Sequence, residues 1–307
     1  MDRLLRAGRR VVVFDDLSTG RLANLATALQ SEHVTFVYQD VSADVATLRE
    51  ALASATEEPL AEIFHLGSPA SPEAYGRHPW ETLAVNGIGT MSLIELALEQ
   101  HASMLFASTS EVYGNPLTHP QPESYFGNVN PVGPRACYDE GKRFGEAAMS
   151  VAARSRGLRG RIVRLFNCYG PRMGLDDGRL IPELLAAVSE KRPFSLHGDG
   201  RQTRSMTYVA DVVEGLLAVN AAAIGGDQPV NLGSEEERTV AEVAQAVATL
   251  AGVPFECTWL PGRPEDPQRR RPDLTFARSL GWEPRVALTD GLSRTLDWAR
   301  TEAPSYA

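Results

Sequence analysis

Residues 105–143, LFASTSEVYG…NPVGPRACYDEGKR, gather the side chains in this sequence that could do chemistry. Tyr138 and Lys142 stand four apart, so on a helix both leave the same face about one turn from each other. A phenol titrates near pH ~10 unaided, and an ammonium with a hydrogen-bonding partner favours the phenolate, which takes a proton from an alcohol at neutral pH. The chain has only two lysines, Lys142 and Lys191, against eight tyrosines, so the spacing is informative. Ser110 and Glu111 follow the apolar run LFAST and set a hydroxyl and a carboxylate at a strand end ahead of that helix. Other chemistries find less support. His65, His78, His101, His119 and His197 pair with no serine or cysteine in a triad-like motif, and Cys137, Cys168 and Cys257 have no metal-ligand spacing among themselves or with a histidine. No metal site is expected, and the cysteines read as buried thiols of a reducing cytoplasm.

The elements that must position these residues follow from periodicity. Residues 2–7 read as the last turns of an amphipathic helix ended by Gly8, and residues 10–15 as a strand running into Asp15 and Asp16. Further strands are expected at 33–44, 63–66, 160–166 and 230–233. Helices are expected at 80–100, around Tyr138 and at 206–219, with another running to Leu250 from a capping box of Thr239 and Glu242. Strands alternating with helices imply a doubly wound parallel α/β sheet. From Pro171 the periodic signal breaks up, and a smaller α/β part begins. With 307 residues and 43% apolar content the chain can bury one large core or two moderate ones. A net charge of −9 gives no bulk attraction to nucleic acid or anionic lipid. No apolar run approaches the ~18 residues of a membrane span.

STSEVYG at 108–114, HPQPESYFGNVNP at 119–131 and VGPRACYDEGKR at 132–143 resemble the extended short-chain dehydrogenase/reductase family, and within it the UDP-glucuronic acid decarboxylases. The likeness runs from Val11 to about Arg300. It implies a Rossmann dinucleotide-binding part at 1–168, rejoined by 206–233, and a substrate-binding part at 169–307. It also implies a first strand and a glycine-rich turn before residue 10, with the acid about 20 residues after the glycines. No G-x-x-G-x-x-G stands there in this sequence, so Met1 is expected to be a misassigned start or a fragment boundary; the alternative is a truncated chain.

The resemblance further implies NAD as cofactor and a UDP-sugar as substrate. Asp15 would take the adenosine ribose and prefer NAD, with Arg21 close enough to complicate that preference. Asp40 and Val41 would lie at the adenine edge. Leu66 and Ser68 would lie beneath the nicotinamide, with Asn86, Tyr138 and Lys142 completing the cofactor contacts. Tyr75, in an expected loop at 73–79, is a candidate contact to the sugar carboxylate, while Asn167, Arg172, Arg204 and Arg270 would hold the UDP-sugar through guanidinium forks.

In the implied reaction Tyr138 takes the proton of the sugar 4-hydroxyl, hydrogen-bonded by Thr109, while NAD accepts hydride from C4. The 4-keto group is then an electron sink for loss of the C6 carboxylate, and reprotonation at C5 with return of the hydride gives UDP-xylose. Dehydratases of the family carry an Asp-Glu pair where this chain has Ser110 and Glu111, and 4-epimerases have a small hydroxyl residue where Glu111 lies. The role of Glu111, as a charge beside the carboxylate or as a handler of the C5 proton, stays open. So do release of the 4-keto-pentose, 4-epimerisation, and a non-catalytic truncated relative. In the family the helix at 80–100 and the Tyr138 helix pack against their copies, which implies a homodimer.

Overall fold

The computed structural model describes residues 1–301. Its sheet follows from the strand β4 (Ser103–Thr109), whose Met104, Leu105 and Phe106 are all fully buried. A strand apolar on both faces must be covered on both, the condition of a parallel sheet with helices above and below. β4 lies between β3 (Glu62–His65) and β5 (Arg159–Leu165), and β10 (Pro229–Leu232) extends the sheet in the order β10-β5-β4-β3, all parallel. β1 (Val11–Asp15) and β2 (Val34–Tyr38) form a separate parallel pair. An Arg9–Glu62 ion pair of 3.6 Å sets the start of β1 beside the start of β3. No ladder joins the two sheets among the described residues.

The helices of this part are α1 (Asp2–Arg6), α2 (Val45–Ala55), α3 (Pro72–Arg77), α4 (Pro79–Ala84), α5 (Thr90–Glu99) and α6 (Ala136–Arg156). The expected helix at 80–100 is interrupted by a π turn at Val85–Gly89. Asn86 Nδ2 donates to Thr82 O at 2.9 Å and Thr90 Oγ1 to Asn86 O at 2.7 Å, so side chains enter the backbone ladder there. The expected loop at 73–79 is instead helical. Ser71 caps it by accepting from Ala74 N at 3.2 Å, and Pro72 occupies the first turn.

The second part comprises β6 (Cys168–Tyr169), α7 (Leu180–Glu190), β7 (Phe194–His197), β8 (Thr203–Ser205), β9 (Thr207–Tyr208), β11 (Glu237–Thr239), α9 (Val240–Ala251), β12 (Cys257–Leu260) and α11 (Leu288–Thr301), while α8 (Val209–Ala221) and α10 (Thr275–Ser279) return to the first part. The capping box of Thr239 and Glu242 opens α9. Leu184, Leu196, Val243 and Leu292 belong to its core, whereas α8 and α10 pack on the main sheet through Val212, Leu216 and Ala277.

The main helix, α6, carries Tyr138 and Lys142 and lies close on β4. A Cβ at Gly145 would stand 2.3 Å from Phe106 Cζ, so only glycine permits this approach. Gly145→Ala is therefore expected to cost about 1–3 kcal/mol through overpacking, read as a fall of several degrees in the thermal midpoint. Gly157→Ala serves as comparison. It lies at the left-handed end of α6 with open space around it, and only its backbone strain of roughly 1–2 kcal/mol applies. A thermal midpoint unchanged by Gly145→Ala would contradict the close approach.

Candidate active site

A cavity of about 520 Å³ opens where β4 and β5 end, lined by Thr109, Ser110, Glu111, Tyr138, Lys142, Asn167, Arg204 and Arg270, with Leu66 and Ser68 at its side. Carboxyl ends of parallel strands are where such sheets bind ligands. A second cavity of about 470 Å³ meets it along Ser68, Ala70, Met173 and Arg179. The sequence thus brings most of its candidates to one crevice.

Lys142 Nζ donates to Ala107 O at 2.8 Å and lies 5.9 Å from the Tyr138 ring centroid. Burial lowers its pKa from 10.5 to about 7. Burial also pushes the Tyr138 phenol up to about 12, opposed by a side-chain hydrogen bond with Thr109. The phenol is therefore protonated at neutral pH in this state. Desolvation is the largest influence on the phenol and outweighs the hydrogen bond from Thr109.

Glu111 is held from two sides. Arg270 Nη1 lies 2.8 Å from Oε1, and Arg135 Nη2 donates to Oε2 at 2.5 Å. Burial would raise its pKa, but Arg270 and then Arg135 lower it to about 2. Glu111 is an anion throughout the neutral range and has no proton to donate. Beside it Asp139 is raised to about 7 by burial and by the Glu111 charge, with Arg135 opposing. His65, buried under α5, is lowered to about 3 by burial and by Lys142, and its Nε2 meets Thr90 Oγ1 at 3.2 Å.

Four long-range hydrogen bonds at Gln121 hold the segment that carries Arg270. Gln121, fully buried, donates its N–H to Arg271 O and accepts from Arg271 N through Oε1, both at 2.9 Å. Its carbonyl accepts from Asp273 N and from Asn231 Nδ2, again at 2.9 Å. Arg204 is fixed by Asp266 at 2.6 Å and by Pro267 O at 2.8 Å.

Several candidates lie elsewhere. Tyr75 is buried on α3 and stacks on Tyr138 with centroids 5.2 Å apart and planes 12° apart; it does not line the cavity. Its hydroxyl has no partner, and burial raises its pKa. Arg172 lines the second cavity and pairs with Asp2 at 3.0 Å, apart from Arg204 and Arg270. Asp15 accepts from Leu17 N at 2.7 Å at the end of β1, and Asp40 accepts from Ser42 N at 2.8 Å in a turn. The Val41 carbonyl lies against Gly89, and Asn86 donates to Ser68 Oγ at 3.0 Å.

Sequence reasoning assigned no part to Arg135, Asp139 or Arg179. Arg179 lines both cavities and holds Asp177 at 2.5 and 2.8 Å. Arg135 and Asp139 stood inside the motif already singled out, and their spacing of four was the available signal.

Two groups fit a nicotinamide dinucleotide here: the unpartnered Asn86 Oδ1 beside Ser68, and the carboxylate of Asp15 at the β1 end. No helix among the described residues is long and apolar enough to cross a membrane.

Comparison with known proteins bears on the family and the fold. The family model described as "NAD dependent epimerase/dehydratase family" matches residues 1–233. UDP-glucuronic acid decarboxylase 1 of Xenopus tropicalis is 40% identical over the whole chain, which spans 70% of that relative. UDP-glucuronic acid decarboxylase 1 of Arabidopsis thaliana is 41% identical over 96% of the chain, which spans 65% of it. Among solved structures, a UDP-glucose 4-epimerase of Thermotoga maritima with UDP-glucose superposes with a TM-score of 0.87 at 27% identity, covering 98% of this chain and 94% of that one. A dTDP-glucose 4,6-dehydratase double mutant of Streptomyces venezuelae with NAD gives 0.88 at 25% identity, covering 99% and 94%.

One consequence of the buried Lys142 concerns stability. Its pKa is lower in the folded than in the unfolded chain, so the unfolded chain binds more protons between about pH 7 and 10.5 and stability rises with pH across that window. The penalty is fully present below it. Lys142→Met is expected to melt at higher temperature than the parent at pH 7, with the gap shrinking as pH approaches 10.5. Parallel melting profiles across that range would contradict a buried amine of lowered pKa.

Proposed function

The chain belongs to the NAD dependent epimerase/dehydratase family, and from that membership we propose that it converts UDP-glucuronate to UDP-xylose and carbon dioxide through a UDP-4-keto sugar. The observation that carries this reading is the ionised Glu111 between Arg135 and Arg270, in the same cavity as Tyr138 and Lys142. The relatives of about 40% identity named as UDP-glucuronic acid decarboxylases support the choice of substrate. Residues 1–168 with 206–233 are assigned to the cofactor part and 169–307 to the substrate part.

NAD, when bound, supplies the hydride acceptor for sugar C4 and returns the hydride after decarboxylation. Leu66, Ser68, Asn86, Tyr138 and Lys142 would hold its nicotinamide end, with Asp15 at the adenosine ribose and Asp40 and Val41 toward the adenine. Tyr138 receives the proton of the sugar 4-hydroxyl, and Thr109 orients both oxygens. Lys142 provides the positive charge that a phenolate in this buried place needs. Oxidation at C4 makes the carboxylate β to a carbonyl, so carbon dioxide leaves while the electrons of the broken C5–C6 bond pass into an enolate, which takes up a proton at C5 before hydride returns to C4. Ser110 can hydrogen-bond the sugar but is no acid for expelling a hydroxyl. Asn167 and Arg204 face the UDP-sugar, and Arg270 offers charge-assisted donors to its anionic groups. Arg172, on the neighbouring cavity, serves the nucleotide side.

Exposed Trp80, Leu83, Ile88 and Met91 on the α4–α5 rod adjoin exposed Phe144 and Val151 on α6, with a Gly87 Cβ position 3.9 Å from the Phe144 ring. This apolar face fits a second copy, making the protein a homodimer. The three unpaired cysteines fit a cytoplasmic location.

Incubation with UDP-glucuronate and NAD⁺ should yield UDP-xylose and carbon dioxide, followed by mass. Tyr138→Phe should lower turnover by about 10²-fold or more with UDP affinity retained, and equal turnover would remove Tyr138 from the chemistry. Ile88→Glu with Val151→Glu should sediment as a monomer where the parent sediments as a dimer; an unchanged sedimentation coefficient would place the interface elsewhere.

A further inference from the structure

Arg135 and Arg270 both hold Glu111, yet their remaining donors differ. Nη2 of Arg135 meets Glu111 at 2.5 Å, and its other nitrogens only approach carboxylates of the protein: Nη1 lies 3.7 Å from Asp266, and Nε, buried without a hydrogen-bond partner, 3.9 Å from Asp139. Its guanidinium also lies 5.9 Å from the Tyr75 ring, which stacks on Tyr138. Arg270 gives only Nη1 to Glu111, at 2.8 Å. Its Nε and Nη2 are buried and have no hydrogen-bond partner, on a side chain that lines the cavity. Two unsatisfied donors on a guanidinium only 6% exposed are costly unless a ligand takes them.

We infer that Arg135 is a positioning residue: it neutralises and holds Glu111 through Oε2, so that Arg270 keeps two donors for the carboxylate of a uronate substrate. This rests on the proposed nucleotide-sugar function and adds the origin of its preference for an acidic sugar. Without Arg135, Oε2 of Glu111 is a buried, unpaired carboxylate oxygen. Arg270 is the cation already in contact, and a guanidinium can satisfy both oxygens of one carboxylate in a fork. Arg270 would then turn its spare donors to Glu111, and the less neutralised Glu111 would repel a substrate carboxylate. Both effects act on an acidic sugar and leave a neutral one almost untouched.

The test is calorimetric titration of the chain with UDP, UDP-glucose and UDP-glucuronate, which reads binding without turnover. Arg135→Met should weaken UDP-glucuronate about tenfold or more, while UDP and UDP-glucose change by less than about twofold. Arg135→Lys, which keeps the charge but not the fork, should recover much of the loss. The double variant Arg135→Met with Glu111→Gln removes the stranded carboxylate, and should regain the preference for UDP-glucuronate to within about threefold of the parent. Equal weakening of both sugars, or a double variant no better than Arg135→Met, would overturn the positioning role. Failure of the parent to bind UDP at all would instead remove the nucleotide-sugar reading on which it stands.

Discussion

The site depends on one buried carboxylate held by two guanidiniums. Glu111 stands just past β4, Arg135 at the start of α6 and Arg270 in the segment after β12, so the ion cluster forms only when strand, helix and late segment are all in place. Removing one member of such a cluster strands a buried charge, at a cost of roughly 3–5 kcal/mol. The cluster does not explain the fold's stability, which comes from the apolar strands. It does fix the relation of the late segment to the sheet end.

That relation is reinforced away from the cavity. The Gln121 amide and backbone make the contacts of a missing strand neighbour to Arg271 and Asp273, and Asn231 on β10 bonds the same Gln121 carbonyl. Tyr113 donates to Asn231 Oδ1 at 2.8 Å, and Arg164 reaches Tyr113 while gripping Glu146 of α6. α6 is thus anchored to β4 and β5 one turn beyond Lys142. Its close seat, allowed by Gly145, sets how far Tyr138 and Lys142 project into the crevice.

What was legible in the sequence was local or densely patterned. The spacing of Tyr138 and Lys142, the apolar run of β4 and the capping box of α9 each depend on residues within one turn or one strand. The helix at 72–77 had the same kind of signal in Ser71-Pro72, but the small residues around it read as loop. The π turn at Val85–Gly89 was not legible in the apolar periodicity, and neither was the packing at its end, where Gly89 passes the Val41 backbone and a Cβ would stand 2.8 Å from the carbonyl oxygen. The roles of Gln121 and of Arg135 toward Glu111 and Asp266 were hidden because they depend on distant partners. Each is defined by partners tens to more than a hundred residues away, which no window of sequence contains. Arg172 shows the converse: a local match gave its type, and the fold put it on the neighbouring cavity.

The charge states of the crevice follow one logic. Without ligand the phenol of Tyr138 keeps its proton and Lys142 is near its own titration point, because burial penalises both phenolate and ammonium. Glu111, by contrast, is held ionised across the neutral range by the Arg270 and Arg135 guanidiniums. The anionic group of the site is therefore fixed, while the base is latent. A phenolate at Tyr138 and an ammonium at Lys142 stabilise each other, so forming one lowers the cost of the other. A positive charge brought beside Tyr138 in this buried crevice would therefore lower the cost of its phenolate, which couples the proposed proton abstraction to what the crevice holds.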